Sequence, residues 1–226
     1  MSAQRGRFIV FEGAEGVGKT TQIRALGARL DALGIGHVDV REPGGTFVGD
    51  HIRRLLLDPA QEIAPRAEAL LFMSSRAQLV HDVIQPALDR GELVIADRFF
   101  LSTYAYQGVG RGLGEEEIRQ ANAIATGGLS PDLTVVLDLP LSVGMSRVAT
   151  RGDHDRIERA GDAFLRRVML AFREFAEPAW QQAHPECGPI VPVDACGHVD
   201  DVTERVEAAL ETRFPETFRF RAASKS

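Results

Sequence analysis

A doubly wound α/β fold, with a five-stranded parallel sheet flanked by helices and a small arginine-rich lid, is the architecture this sequence predicts. Three observations carry that expectation. Five short strand candidates alternate with helical stretches along the chain. All but the second are near-continuous apolar runs, the pattern of strands covered on both faces. The short motifs rich in glycine or charge follow the strands, at the carboxyl ends where ligands collect in such sheets.

The first strand is Phe8–Glu12. It leads into a glycine-rich stretch, after which Thr21 to Leu33 places Ile23, Leu26, Leu30 and Leu33 at helical spacing. The second strand, His37–Arg41, runs into Arg41-Glu42-Pro43-Gly44-Gly45. Helices are expected over about 48–57 and 66–90, before a third strand, Leu93–Asp97, that ends in Asp97-Arg98. A helix over about 115–126 precedes the fourth strand, Leu133–Asp138. Helices over about 141–151 and 162–183 come next, and Pro178 should kink or break the latter. Strand Ile190–Val193 and a helix over about 200–212 complete the pattern. With no internal repeat and no linker, residues 1–226 read as one domain, with a lid at about 147–160 and a disordered tail at 221–226.

The stretch between the first strand and helix is Gly13-Ala14-Glu15-Gly16-Val17-Gly18-Lys19-Thr20, which fits G-x-x-x-x-G-K-[ST]. Strand, glycine-rich turn and helix is the context a phosphate-binding P-loop needs. The glycines let main-chain N–H groups converge on an anion, and the helix N-terminus adds its positive end. Lys19 can then reach the β- and γ-phosphates, and the Thr20 hydroxyl can ligate Mg²⁺. A nucleoside triphosphate is the expected ligand.

Composition narrows the partners. Apolar residues make up 44% of the chain and charged ones 26%, ordinary for a globular protein with a full core. A net charge of −6 offers no general grip on a nucleic-acid backbone. Cys187 and Cys196 form no metal or redox motif and read as free thiols in a reducing compartment. No apolar run approaches a membrane span and no signal sequence opens the chain, so a cytoplasmic location is expected, with neither membrane nor nucleic acid as partner.

Further residues point to a second ligand. Asp97 at a strand end beside the P-loop is placed to hold Mg²⁺, and Arg98 next to it suits a second anion. Arg147, Arg151, Arg156, Arg159, Arg166 and Arg167 crowd one segment, read either as a solvated basic face or as a lid that closes over phosphates. Glu15 puts a carboxylate inside an anion-binding loop; it faces either solvent or a sugar hydroxyl. Phe72 and Arg76 share a helical face, either as core or as a ring and donor that read a pyrimidine. Ser102 to Gly108 either lines a sugar and base pocket or caps the next helix.

Together these motifs resemble the thymidylate kinases of bacteria over nearly the whole chain, about Gly6 to Leu210. The resemblance rests on Phe11 to Thr21, Arg41 to Thr46, Asp97-Arg98-Phe99, Ser102 to Gly108 and Asp155-Arg156-Ile157-Glu158. It implies a P-loop kinase fold and Mg²⁺-dependent transfer of the ATP γ-phosphoryl to dTMP. Gly13 to Thr21 would hold ATP, with Thr20 and Asp97 at the metal. Arg98 would clamp the acceptor phosphate, Phe72 stack on thymine and Arg76 donate to its O4. Tyr106 would exclude a 2′-hydroxyl and Glu15 meet the 3′-hydroxyl, with Pro43, Arg53, Thr103 and Gln107 completing the acceptor site. Because this P-loop has no arginine, the resemblance assigns the charge-stabilising role to the lid, first to Arg151 and second to Arg156. Phe99 departs from the polar aromatic residue common in relatives, which leaves open any hydrogen bond made there. Family members are usually homodimers. The alternatives are a kinase for another nucleoside monophosphate and a regulatory P-loop NTPase, which would call for an Asn-Lys-x-Asp motif absent here.

Overall fold

The computed structural model describes residues 5–150 and 155–220, with Val148 and Ala149 in backbone only. The strands are β1 Phe8–Glu12, β2 His37–Arg41, β3 Leu93–Asp97, β4 Leu133–Asp138 and β5 Ile190–Asp194. All pair in parallel, in the order β2-β3-β1-β4-β5. Central β1 is wholly buried, which is why it reads as an unbroken apolar run, whereas β2 lies at an edge and keeps polar residues.

The helices are α1 Lys19–Ala32, α2 Phe47–Leu57, α3 Pro65–Leu79, α4 Gln85–Asp89, α5 Phe100–Thr103, α6 Glu115–Thr126, α7 Leu141–Ala149, α8 Asp162–Phe175, α9 Pro178–Ala183 and α10 Val199–Arg213. Thr46 caps α2, its hydroxyl accepting from the Gly49 N–H at 2.9 Å. Pro178 opens α9 at its first turn, so the expected break separates α8 from α9. The single helix expected over 66–90 is instead α3 and α4 joined by a π-helical turn, Val80–Ile84. Pro86 lacks an N–H and its ring crowds the preceding turn, which the wider π turn accommodates. A second π segment, Tyr104–Gly110, continues α5. Helix α8 buries Phe164, Leu165, Val168, Met169, Phe172 and Phe175 on one stripe.

Past α10, Phe214, Phe218 and Phe220 turn back into the core, and the Arg7 guanidinium lies 4.9 Å from the Phe214 ring centre. The segment expected as a disordered tail, 221–226, lies outside the described residues.

Candidate functional site

The phosphate loop forms where β1 leaves no room for a side chain. A Cβ on Gly13 would stand 2.6 Å from the Leu137 carbonyl oxygen. Gly18 caps α1 at φ 98°, a conformation glycine adopts freely. Glu15, Gly16, Gly18, Lys19, Thr20 and Thr21 line a cleft of about 1860 Å³, while Ala14 and Val17 turn into the core. Lys19 folds over the loop, its Nζ donating to the carbonyls of Gly13 at 3.0 Å and Ala14 at 2.9 Å. Burial pulls Lys19 down to about 8; Arg98 adds to the fall, and Glu15, Asp97 and Glu12 oppose it.

Thr20 Oγ1 donates to Asp97 Oδ2 at 3.0 Å, joining the start of α1 to the tip of β3. A hydroxyl and a carboxylate are the hard oxygen donors Mg²⁺ takes. Among the described residues no group of three or more His, Cys, Asp or Glu could hold a metal. A cation here would therefore complete its shell with phosphate oxygens and water, as Mg²⁺ commonly does.

Arg98 turns the chain off β3 with φ 78°, the left-handed region, at a cost on the order of 1–3 kcal/mol. That turn aims its guanidinium back at the P-loop. Nη1 donates to the Gly13 carbonyl at 3.2 Å and Ser102 Oγ at 2.9 Å; Nη2 donates to the Tyr106 hydroxyl at 3.3 Å and to the Glu15 carboxylate. Burial alone would lower Arg98, yet the carboxylates of Glu15, Asp97 and Glu12 hold it well above its ordinary value, so it stays charged. Burial likewise pushes the Tyr106 hydroxyl up, and it stays neutral.

Glu12, fully buried at the end of β1, braces this turn. Its carboxylate accepts from the Phe99 N–H at 2.8 Å, the Ser102 N–H at 2.9 Å and the Ser102 hydroxyl at 2.6 Å. No role for Glu12 follows from the motif. The available signal was a carboxylate closing a wholly apolar strand, where burial demands hydrogen-bond partners. Phe99 is fully buried against Phe8 and Phe100, with the Arg76 guanidinium 4.7 Å from its ring centre. An apolar ring therefore suits that position.

A second compartment of about 640 Å³ opens on the far side of Arg98. Its lining brings together Glu15, Pro43, Arg53, Phe72, Arg76, Arg98, Thr103, Tyr106 and Gln107, every acceptor-site residue expected from the sequence. Arg53, on α2, donates to the Pro43 carbonyl at 2.9 Å. Phe72 and Arg76 stand a turn apart on α3, and Phe72 is half-buried rather than in the core. Arg76 is nearly inaccessible, and its donors are engaged by Glu42, Thr103, Asn122 and the Phe99 carbonyl. It forms a fixed cationic floor rather than a mobile arm. Glu42 and Asn122 fix it; the motif that contains Glu42 gives that residue no role, and Asn122 carries no signature in the sequence.

The lid arginines divide. Arg151 lies outside the described residues. Arg156 points away from the P-loop: its Nη2 is 2.7 Å from Glu68 Oε2 and its Nε donates to the Leu56 carbonyl at 2.7 Å. Arg156 lines neither compartment, and a buried carboxylate on α3 holds its guanidinium. Arg147 instead reaches the loop, donating to the Gly16 carbonyl at 3.1 Å. Asp155 and Glu158 line both compartments, as do Glu15, Glu42, Arg53 and Arg98. Cys187 is buried and Cys196 half-buried, both free thiols, as expected.

A P-loop at the tip of β1, facing a buried guanidinium and a second pocket at the tip of β3, defines a P-loop kinase. Residues 11–184 match the sequence profile of the thymidylate kinase family. The thymidylate kinase of Deinococcus radiodurans is 47% identical over 209 residues, 92% of this chain and 98% of that protein. That of Carboxydothermus hydrogenoformans is 51% identical over 172 residues, covering 76% and 85%. The crystal structure of thymidylate kinase from Ehrlichia chaffeensis aligns with a TM-score of 0.71 at 29% identity, covering 92% of this chain and 99% of that one. The chain belongs to the thymidylate kinase family.

Proposed function

We propose that the protein transfers the γ-phosphoryl group of ATP to dTMP, giving ADP and dTDP, with Mg²⁺ bound at Thr20 and Asp97. The observation that carries this reading is the meeting of two compartments at Arg98, one lined by the P-loop and the other by Phe72, Arg76 and Tyr106. The loop amides and Lys19 hold the ATP phosphates. The dTMP phosphate takes the place on Arg98 that Glu15 holds, and Glu15 is released toward the sugar 3′-hydroxyl. An oxygen of that phosphate attacks the γ-phosphorus in line, and the bond to the ADP oxygen breaks. Mg²⁺ supplies charge neutralisation on the donor phosphates. Phe72 stacks on thymine, and Arg76, its donors engaged by buried partners, presents positive charge toward O4. Pro43, Arg53, Thr103 and Gln107 complete the walls, and Tyr106 excludes a 2′-hydroxyl. Arg151 keeps the role of neutralising transferring charge, with Arg147 beside the loop.

Adjacent helices α3 and α6 leave Leu70 and Ile124 exposed, a surface that suits a second copy of the chain, so the assembly is read as a homodimer. No helix among the described residues is long and apolar enough to cross a membrane; a cytoplasmic location is part of this proposal.

The test is ADP release from ATP and Mg²⁺ with dTMP, dUMP, UMP and CMP offered in turn. dTMP should be the best acceptor, and dUMP should retain some turnover because a methyl group supplies only about 1–3 kcal/mol. Equal use of CMP would refute the assignment.

A further inference from the structure

Glu68 on α3 has no solvent exposure and lines neither compartment, yet it gathers three side chains from two other segments. Gln107 donates to its Oε1 at 2.9 Å, Arg111 to its Oε2 at 3.1 Å, and Arg156 Nη2 lies 2.7 Å from Oε2. Burial alone would raise this carboxyl, but hydrogen bonds from Arg111 and Gln107, with the Arg156 guanidinium paired beside them, hold it below its ordinary value, so it is ionised. Arg156 is held a second time at the end of α2, its N–H donating to the Leu57 carbonyl at 3.2 Å and its Nε to the Leu56 carbonyl. Its neighbours Asp155, Ile157 and Glu158 face the other way and line the acceptor pocket.

That wall is acidic on the side where two phosphate-bearing ligands must enter. Resting on the kinase reading above, we infer that Glu68 is a positioning residue. Through Arg156 it pins the wall common to both compartments, and through Gln107 it sets one residue of the acceptor lining. Anchored this way, the wall keeps water from the γ-phosphoryl group.

Arg156→Met, Arg156→Lys and Glu68→Gln test this, with calorimetric binding of dTMP and ATP and the ratio of ADP to dTDP formed. Arg156→Met should weaken dTMP at least about tenfold, the equivalent of one charge-assisted hydrogen bond, and leave ATP within about twofold. It should also lift the ADP to dTDP ratio above one as water competes with dTMP. Arg156→Lys should restore part of both. Glu68→Gln should shift both readouts the same way, and adding Arg156→Met to it should change little more. If Glu68→Gln does not fold, the Arg156 pair decides alone. A parent protein that does not phosphorylate dTMP would overturn the functional reading itself. A parent that does, beside an Arg156→Met variant with normal dTMP affinity and coupling and only a lower Tm, would overturn the inference.

Discussion

Raising the pH from about 7 to about 9 should weaken ATP binding about tenfold and couple it to uptake of close to one proton, both through Lys19. In the ligand-free loop Lys19 is held at about 8, against an ordinary value of 10.5. At pH 9 roughly one chain in ten then carries the ammonium, whereas phosphate restores it to essentially all. Above about pH 8 affinity should thus fall near tenfold per pH unit until the ordinary value is approached. Phosphate itself, whose second proton leaves near about pH 6, is fully ionised throughout that window. Because Lys19 is lowered in the folded chain, the fold is penalised wherever the ammonium is charged in both states. That penalty, on the order of 3 kcal/mol, is full below about pH 8 and fades as pH rises toward about 10.5. Calorimetry of ATP in two buffers of different ionisation enthalpy, at both pH values, reads the proton count directly. Lys19→Arg should abolish the uptake, because arginine does not titrate there. ATP affinity and proton count that do not change between the two pH values would refute the reasoning.

Three further outcomes are expected. Arg98→Ala should cut kcat/KM for dTMP by at least about 100-fold, from losing two charge-assisted bonds, with KM for ATP within about threefold. Arg98→Gly should be equally inactive yet more stable than Arg98→Ala by about 1 kcal/mol in denaturant melts, because φ 78° penalises only the residue with a Cβ. Phe218→Ala, far from either compartment, should cost about 3–5 kcal/mol and lower Tm by about 10 °C, with kinetic constants unchanged at 25 °C.

Most strands were legible because a parallel sheet covered on both faces writes itself as apolar runs, and β1, β3 and β4 obey that rule. Strand order was not legible, since nothing local in Phe8–Glu12 says that it lies between β3 and β4. The P-loop could be read from glycine spacing alone because its geometry is a property of the backbone. The pairing of Arg156 was not legible because a charge in a basic segment looks the same whether it faces phosphate or a buried carboxylate 88 positions earlier. The roles of Glu42, Glu68 and Asn122 stayed hidden for the same reason: each is defined by a partner remote in sequence. The π segment Tyr104–Gly110 escaped because no residue preference distinguishes its wider turn from an α turn.

The Glu12 carboxylate has a consequence for the length of the reaction path. The proposed donor cradle and acceptor clamp emerge from β1 and β3, which are hydrogen-bonded neighbours with Phe11 beside Asp97. Their separation is inherited from the roughly 4.8 Å spacing between paired strands and locked by one side chain that spans both tips. The gap a phosphoryl group must cross is thus a constant of the sheet. Changes in the helices around the base can retune which nucleotide enters without altering how far the group travels.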